Sequence, residues 1–341
     1  MEMTAHERMV NLFKGKEIDR LPRIEWCPFW RLTVDRWVKE GLPCTIRKNG
    51  THLTPSTQYE LQEYFGLDKV AIGIYKPYTK DWPYTEKGYT KQGLVANAAD
   101  YHKVKKHLYP EFEVDKDHIA LFKKMRAEGD TVIPANFEGF FWFPRVLFDI
   151  EPHLYSFYDE PDLYKEICED YVTWLKKVIE CLTNEFQFDY YYFMDDMSYN
   201  HGPMIGKEQF DEFLAPYYKQ ITALLHSFDI PVIVDSDGDI TKAVDWYAST
   251  GVDGMLPLER QAGVDVSVYL KKQPNMFFLG HFDKMCMKFG EEAMRAEFER
   301  LLPSIKTRRF IPSVDHQTPP DVSLENYKIY VKLLKEYTQK I

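Results

Sequence analysis

The sequence predicts an α/β protein: a (β/α)8 barrel of the TIM type, formed by residues 1–341 as one domain, with a small inserted hairpin near residues 75–98. Short apolar segments alternate along the chain with longer segments of helical periodicity, which is typical of a parallel sheet covered by helices. Eight such apolar segments can be counted, and several of them end in carboxylate or histidine side chains. Active sites of barrels lie at these strand ends. A doubly wound open sheet is the alternative arrangement.

The first third of the chain contains the less regular elements. Thr4 and Glu7 have the spacing of a capping box at the start of a helix, and Gly15 ends that helix. Residues 75–98 alternate apolar and polar positions among many Tyr, Lys, Thr and Gly residues, which favours an antiparallel hairpin. The other elements predicted here are strands at 23–26 and 69–74 and helices at 30–40, 58–64, 99–107 and 115–128.

From residue 129 onward, predicted strands and helices alternate regularly. The helix at 161–184 carries apolar residues at a spacing close to 3.6, and Pro216 interrupts the helical segment 207–228. Further helices are predicted from Phe141 and at 241–249, 265–272, 290–301 and 323–338. The predicted strands are 131–135, 189–194, 230–234, 253–256, 276–279 and 310–312.

Composition excludes several classes of protein. A net charge of −10 argues against general nucleic-acid binding, which needs a basic surface. No apolar run approaches the roughly 18 to 20 residues of a membrane span, and the N-terminal segment has the pattern of an amphipathic helix rather than a signal peptide. The cysteines show no C-x-x-C spacing, and neither a G-x-G-x-x-G nor a P-loop motif is present. We therefore expect a cytoplasmic protein with reduced thiols and no nucleotide site of these kinds.

The stretch V-I-V-D-S-D-G-D at 232–239 is the clearest candidate for a functional site. It has the pattern of a buried strand that ends in an acidic loop, and burial of an unpaired carboxylate is costly. An ordinary turn is the other interpretation, but polar ends recur after most predicted strands. These strand-end residues are Glu25 and Trp26, Asn136 and Glu138, Asp195 and Asp196, Asp235 and Asp237, Glu259, His281 and Asp283, and Asp315 and His316. We expect at least three of them to line one pocket.

The predicted catalytic residues combine carboxylates with one histidine. Carboxylates and imidazole together can hold a divalent metal such as zinc or manganese, and we predict Asp237, Glu259 and His316 as its ligands. Alternatively, His316 only bonds a neighbouring group, or the carboxylates act without metal as proton donors and acceptors. Asp195 and Asp196 are adjacent and face opposite ways on a strand, so only Asp196 is assigned to the pocket. Asp196 thus completes the predicted catalytic set.

A second group of residues is predicted to contact a small-molecule substrate. Many aromatic side chains lie near predicted strand ends, which suits an apolar or planar ligand, although ordinary packing explains most rings singly. Arg31, Arg36 and Arg145 are candidates for binding a carboxylate or phosphate group. The predicted substrate contacts are Trp26, Asn136, Asp235, Tyr199 and Asp283.

Five longer motifs carry a family resemblance. They are F-M-D-D-M-S-Y-N-H-G-P-M-I-G-K-E-Q-F-D-E-F-L-A-P-Y-Y-K (193–219), V-D-S-D-G-D-I (234–240), G-V-D-G-M-L-P-L-E-R-Q-A-G-V-D-V (251–266), G-H-F-D-K (280–284) and I-P-S-V-D-H-Q-T-P-P-D-V-S-L-E-N-Y (311–327). Together with E-I-D-R-L-P near the N-terminus, they closely resemble the uroporphyrinogen decarboxylase superfamily over nearly the whole chain. The resemblance implies a (β/α)8 barrel with its cleft at the C-terminal strand ends.

The superfamily contains two well-known reactions, and the chain departs from the pattern of each. Uroporphyrinogen decarboxylases carry arginines in an M-R-Q-A-G-R-Y-like stretch after the first strand, whereas residues 26–37 contain Arg31 and Arg36 without that pattern. Corrinoid-dependent methyltransferases bind zinc through an H-x-C pair and a later cysteine. This chain has D-S-D (235–237) and S-V-D-H (313–316) at those places, so the resemblance implies harder ligands than thiolates.

The reaction that the resemblance favours is methyl transfer involving a corrinoid (cobamide) protein or methyl acceptor. One alternative is a carboxy-lyase that decarboxylates a porphyrinogen or another carboxylate without a cofactor. A third interpretation is a non-catalytic protein that binds a tetrapyrrole or corrinoid. The expected cofactors are zinc or another divalent metal and a corrinoid as co-substrate. We expect neither nucleic acid nor a membrane as partner, and an oligomer is compatible with the sequence.

Overall fold

Seven parallel strands form the central sheet in the computed structural model, which describes residues 2–49, 52–83 and 93–341. The strands, numbered in chain order, are β1 Lys48–Asn49, β2 His52–Leu53, β3 Lys69–Val70, β4 Gly73–Ile74, β5 Thr131–Val132, β6 Ala135–Glu138, β7 Tyr191–Met194, β8 Ser198–Tyr199, β9 Gly202–Pro203, β10 Val232–Ser236, β11 Gly254–Pro257, β12 Phe277–Phe282 and β13 Phe310–Val314. The sheet runs in the order β13, β12, β11, β10, β7, β6, β4, and every neighbouring pair is parallel. The order follows the chain around a ring, and the predicted barrel-type fold is confirmed.

Helices connect successive strands and share one apolar core with the sheet. The α-helices, numbered in chain order, are α1 Ala5–Phe13, α2 Arg31–Lys39, α3 Pro55–Phe65, α4 Ala98–Val104, α5 Lys116–Glu128, α6 Trp142–Phe148, α7 Ile150–Asp159, α8 Pro161–Glu185, α9 Lys207–Gln209, α10 Ala215–Ser227, α11 Ala243–Ala248, α12 Val266–Lys272, α13 Glu291–Ile305 and α14 Leu324–Tyr337. Shorter turns are 3₁₀ helices at Lys105–His107, Arg260–Ala262 and Lys284–Phe289 and a π-helical turn at Phe210–Leu214. Within the described ranges, no helix has the length and apolarity needed to cross a membrane.

Two predicted strands are each divided into two short pieces. The strand predicted at 69–74 consists of β3 and β4, and its neighbour in the sheet consists of β5 and β6. Pro134 lies at the second break, where its ring nitrogen has no hydrogen to donate to a strand ladder. The strand predicted at 131–135 therefore ends too early: it continues to Glu138, and Asn136 lies inside β6 rather than in a loop.

The structure describes only part of the predicted hairpin near 75–98. The middle of the hairpin, residues 84–92, lies outside the described residues, and on its described flank Tyr78 forms an antiparallel bridge with Leu108.

The interruption predicted in the helical segment 207–228 is observed, but it is the π-helical turn that precedes α10, and Pro216 is the second residue of that helix. Proline is tolerated there because the first turn of a helix leaves its N–H groups unpaired.

The strand predicted at 23–26 is not part of the sheet, and this prediction was wrong. The segment is extended and lies between the two edges of the sheet, with Arg23 O accepting from Asp68 N (2.9 Å) on one side. On the other side, the contacts to β13 come from side chains. Val314 N donates to Glu25 Oε2 (3.3 Å), and Trp26 Nε1 donates to Val314 O (2.9 Å). Side-chain groups therefore replace the strand ladder where the first and last segments of the ring meet.

Glu25 is the main polar contact of this closure. Its carboxyl group is buried and also accepts hydrogen bonds from Ser313 Oγ (2.7 Å) and Tyr327 OH (3.0 Å). Burial raises the pKa of Glu25, because the charged form loses its hydration, while these donors act in the opposite direction. The first segment is thus fixed to both β13 and α14 by one side chain.

Helix α1 covers the opposite end of the ring, where the strands begin. Thr4 and Glu7 form the predicted capping box, and Ala5 N donates to Gly129 O (2.7 Å). The ring of Phe13 at the end of this helix packs on Phe277 (centroids 4.7 Å apart) and lies 6.0 Å from the ring of Tyr190. This end of the ring is filled by apolar side chains, so the polar strand ends lie at the other end.

Removal of the Glu25 carboxyl group should destabilise the fold. Glu25→Ala leaves buried donors on β13 and α14 without an acceptor, and we expect a loss of about 3 kcal/mol in the free energy of unfolding. Glu25→Gln keeps an acceptor oxygen and should cost less than about 1 kcal/mol. Urea denaturation followed by circular dichroism measures both. Equal losses for the two variants would contradict the role of the carboxyl oxygens in closure.

Candidate functional site

Three predicted ligand residues meet at the C-terminal end of the sheet. Asp237 follows β10, Glu259 follows β11 and His316 follows β13. One ligand atom from each lies within 4.8 Å of those of the other two, and His316 Nε2 is 3.9 Å from Asp237 Oδ2. All three side chains are partly accessible to solvent. The strand ends therefore bring together residues that are far apart in the sequence.

The position of Glu259 depends on an unusual backbone turn after β11. Leu258 has a φ of 62°, a left-handed conformation that non-glycine residues seldom adopt, and its side chain is fully buried. This turn breaks the alternation of the strand, so the next residue, Glu259, faces the space at the strand ends around Asp196, Asp235, Asp237 and His316, which we call the mouth. There Gly238 N lies 3.4 Å from Glu259 Oε2. His281 Nδ1 supports the turn by donating to Leu258 O (2.9 Å).

His281 is a structural residue rather than a member of the site. It is completely buried, and its Nε2 accepts a hydrogen bond from Val266 N (3.2 Å). Burial lowers the pKa of His281 to about 4, so the imidazole is neutral at ordinary pH. A neutral ring with its proton on Nδ1 satisfies both the carbonyl of Leu258 and the amide of Val266.

Asp196 and Asp235 form a second acidic group with Asp237. One carboxylate oxygen of each lies within 4.8 Å of those of the other two, and Asp196 Oδ1 accepts from Asp237 N (3.1 Å). Asp195 points the other way into the core, as the alternation along a strand predicts. Its two oxygens accept from two hydroxyls and two backbone amides: Tyr218 OH (2.6 Å), Tyr247 OH (2.8 Å), Phe141 N (2.8 Å) and Trp142 N (2.8 Å). Asp195 thus fixes the strand end from which Asp196 faces the mouth.

The electrostatics of the mouth favour uncharged carboxyl groups. Burial, and then repulsion by Asp196 and Glu259, raises the pKa of Asp237 to about 8. Burial also raises the pKa values of Asp196 and Asp235, and Asp235 is further affected by its acidic neighbours. Burial lowers the pKa of His316, against the opposing effect of Glu259. Ionising all of these carboxyl groups together is therefore unfavourable, and a retained proton or an added cation would relieve their repulsion.

Lys284 is a charged residue of the mouth that sequence reasoning missed. Its Nζ lies 3.3 Å from Asp315 Oδ1 and 3.5 Å from Glu259 Oε1. Asp315 is fully buried, and its carboxylate also accepts from Arg260 N (2.9 Å) and Lys284 N (3.3 Å). Lys284 belongs to the G-H-F-D-K motif and directly follows a predicted strand end. Because the other strand ends are acidic, a lysine at this place could have been predicted to pair with them.

Of the predicted substrate contacts, Trp26 and Asp235 lie beside the predicted ligand residues, and Asn136 lies in β6. The ring of Trp26 packs edge-on against His316, with centroids 5.8 Å apart. Asn136 is partly buried in β6, where Nδ2 is 3.5 Å from the carbonyl of Tyr192. The Cys27 thiol is a neighbour that the prediction omitted: burial, and then Asp235 and Asp237, raises its pKa.

The structure does not bring Asp283 and Tyr199 into this group. Asp283 Oδ1 accepts from Met285 N (2.9 Å) and Gln261 Nε2 (2.9 Å), so it caps the 3₁₀ helix that follows β12. The Tyr199 side chain is 65% exposed, and only its backbone meets the acidic loop, with Asp239 N donating to Tyr199 O (2.9 Å). A substrate role for either residue remains a prediction from sequence.

The three candidate arginines have separate environments. Arg31 Nη1 lies 2.6 Å from Asp35, and Arg36 Nε lies 2.6 Å from Glu40, so both form ion pairs along α2. Arg145 Nη1 lies 3.4 Å from the backbone oxygen of Asp196, which places this guanidinium beside the mouth. The pairing of the first two arginines removes much of their capacity to bind a substrate with several carboxylates.

The donor set of Asp237, Glu259 and His316 fits a divalent cation. Two carboxylates and an imidazole are a ligand combination used by zinc and manganese, and the raised carboxyl pKa values indicate a deficit of positive charge. Within the described ranges, no cysteine joins either ligand group. The set therefore favours a cation that accepts oxygen and nitrogen ligands over one that requires thiolates.

Comparison with known proteins agrees with this architecture. A sequence model described as uroporphyrinogen decarboxylase (URO-D) matches residues 94–337. A solved methyltransferase from Methanosarcina mazei is similar in structure, with a TM-score of 0.59, 14% identity, and coverage of 98% of this chain and 99% of the other. A protein described as a vitamin-B12-independent methionine synthase from Listeria monocytogenes has a TM-score of 0.47, 12% identity and coverage of 95% of this chain and 98% of the other. No curated protein sequence matches the chain.

The raised pKa of Asp237 predicts that stability falls as the pH rises. An acid whose pKa is raised by folding binds its proton more tightly in the folded chain, so its contribution is lost between the unfolded value of 3.8 and the folded value of about 8. His316 has a lowered pKa and acts in the opposite direction below 6.5, so the comparison is made above that value. In a chelating buffer, the melting temperature should fall by about 1 °C between about pH 7 and pH 8.5, because the side chain is 37% exposed and solvent weakens the effect.

The matched control for this measurement is Asp237→Asn. The amide does not titrate, so the fall in melting temperature over the same pH interval should be smaller in the variant than in the wild-type protein. A fall of equal size in both proteins would contradict the assignment of the effect to Asp237.

Proposed function

The chain belongs to the uroporphyrinogen decarboxylase (URO-D) family, and we propose that within this family it is a methyltransferase for a small-molecule substrate. In this proposal the enzyme uses a divalent cation and works with a corrinoid (cobamide) protein or methyl acceptor. The observation that carries the proposal is the meeting of Asp237, Glu259 and His316 at the strand ends, with ligand atoms within 4.8 Å of one another.

The cation and the surrounding acids have separate tasks in this proposal. Asp237, Glu259 and His316 hold the cation, which supplies a Lewis acid that can lower the pKa of a bound thiol or hydroxyl acceptor. Asp196 and Asp235 keep their protons more readily than ordinary carboxyl groups, so they can donate or accept a proton at the substrate. Trp26 packs on His316 and restricts its orientation from the side of the first segment.

Two features favour methyl transfer over decarboxylation of a polycarboxylate. Arg31 and Arg36 pair with acids near them on α2, and the mouth collects carboxyl groups, which do not bind the carboxylates of a substrate unless a proton or a cation lies between them. The methyltransferase from Methanosarcina mazei has the same fold, so the fold is compatible with methyl transfer. Fold alone does not select the reaction, and the donor set is the stronger argument.

One observation favours a carboxy-lyase as the second candidate. Burial and neighbouring acids raise the pKa of Asp237 to about 8, and a carboxyl group that retains its proton can deliver it to a carbon that has lost carbon dioxide. This reaction needs no cation, and a bound cation would remove that proton. Metal content therefore separates the two candidates.

Metal binding is tested first with purified full-length protein. Protein prepared without chelator should contain a divalent metal, and after removal of the metal it should bind Zn²⁺ or Mn²⁺ in calorimetry. Asp237→Asn should weaken this binding by at least about a hundredfold, because it replaces a charged ligand by a neutral one. Glu113→Gln is the matched control, since Glu113 is an exposed acid on the loop before α5. Absence of metal from the wild-type protein, with no binding on titration, would contradict the cation site.

The reaction is tested with two substrates. The metal-loaded protein should accelerate transfer of the methyl group from methylcobalamin to a thiol, followed by visible absorption, and Asp237→Asn should lower the rate by about a hundredfold. Conversion of uroporphyrinogen to coproporphyrinogen, without methyl transfer, would establish the carboxy-lyase instead. A spectral change on binding cobalamin without turnover of either substrate would indicate a non-catalytic binding protein.

A further inference from the structure

Lys284 places a fixed positive charge beside the proposed cation site. Its Nζ lies 3.5 Å from Glu259 Oε1, and Glu259 is one of the three ligand residues. The lysine side chain is only 16% exposed, so its ammonium group is held in the mouth rather than in bulk water. A divalent cation and the ammonium group therefore approach the same carboxylate from different directions.

We propose that Lys284 is an internal counter-ion that competes with the divalent cation for Glu259 and thereby limits the affinity of the site. This inference rests on the proposed function, because it concerns the same cation. In the metal-free protein the ammonium group neutralises part of the acidic mouth. When a cation binds, two positive charges share one carboxylate, and their repulsion reduces the affinity. Lys284 thus acts on the cation site through its charge.

Asp315 holds Lys284 in addition to Glu259. Asp315 is completely buried, and two backbone amides as well as the ammonium group bond to its carboxylate. With these bonds in place, Asp315 is occupied as an anchor, and it does not belong to either ligand group. The ammonium group therefore keeps its place when Glu259 turns towards a cation, so its repulsion acts in the loaded state as well.

The same geometry distinguishes this role from an ordinary surface ion pair. Surface pairs are worth little because water screens them and both side chains are mobile. Here Asp315 is 0% exposed and Glu259 is 24% exposed, so the charge of Lys284 is screened less. Removal of the charge should consequently have opposite effects on two quantities: the metal-free protein loses a stabilising ion pair, and the cation site gains affinity.

The test compares Lys284→Gln with Lys288→Gln in full-length protein. Lys288 lies on the same 3₁₀ helix but is exposed and pairs with Asp321 (3.0 Å), so its substitution leaves the mouth unchanged. The side chain of Lys284→Gln can still donate a hydrogen bond to Asp315, so this buried carboxylate keeps a partner in the variant. Lys284→Met is the second variant, and Lys284→Arg retains the charge.

Calorimetric titration of the chelator-treated proteins with Zn²⁺ or Mn²⁺ gives the decisive readout. Lys284→Gln and Lys284→Met should bind the cation about tenfold more tightly than the wild-type protein, whereas Lys284→Arg and Lys288→Gln should stay within about threefold of it. In chelator, the two neutral variants at 284 should melt at a lower temperature than the wild-type protein. A merely structural role for Lys284 would lower the melting temperature without tightening cation binding.

The outcomes separate this inference from the proposed function. Wild-type binding that is lost in Asp237→Asn but unchanged or weakened in Lys284→Gln overturns the competition and leaves the cation site intact. A wild-type protein that binds no cation contradicts the use of a cation by the enzyme in the proposed function. Binding that appears only in Lys284→Gln and Lys284→Met would then still support competition by Lys284, and its absence there overturns the competition too.

Discussion

The repulsion between carboxyl groups that the fold holds together is the constraint on which the rest of the site depends. Asp196, Asp235 and Glu259 come from three neighbouring strand ends, and each has a carboxylate oxygen within 4.8 Å of one of Asp237. Water screens these charges only in part, because the side chains are partly buried. The mouth therefore has three ways to relieve the repulsion: retained protons, a lysine, or a bound cation. Each of these ways changes the chemistry that the site can perform.

The rigid support behind the mouth explains why the acids do not simply turn away. Asp195 is bonded by two tyrosine hydroxyls and two backbone amides, and it fixes the end of β7 one residue before Asp196. His281 fixes the strained turn before Glu259 in a similar manner. These contacts are satisfied within the core, so they lose nothing when a ligand enters or leaves. Strain at Leu258 is thus maintained by packing and hydrogen bonding rather than by the ligand.

Much of the fold could be predicted from the sequence, because alternating apolar segments and helical periodicity are local signals. The acidic strand ends could also be found, since parallel strands place their ends on one side of the sheet. Three features could not. The segment at 23–26 joins the ring through side chains that no periodicity encodes, and the turn at Leu258 depends on a hydrogen bond from a histidine of the neighbouring strand β12. Lys284 lies at the site because it pairs with Asp315, and the sequence does not show that these two residues are close in the folded chain.

The side-chain closure beside β13 makes this seam of the ring different from the others. Backbone ladders resist sliding because their hydrogen bonds recur along the strands, whereas here a carboxyl group and an indole hold the first segment to Val314. His316 lies two residues beyond Val314 and packs on that same indole. A shift of the first segment would therefore displace the imidazole relative to Asp237, which belongs to a different strand. The contact between the segment at 23–26 and β13 therefore helps to set the distance between His316 and Asp237.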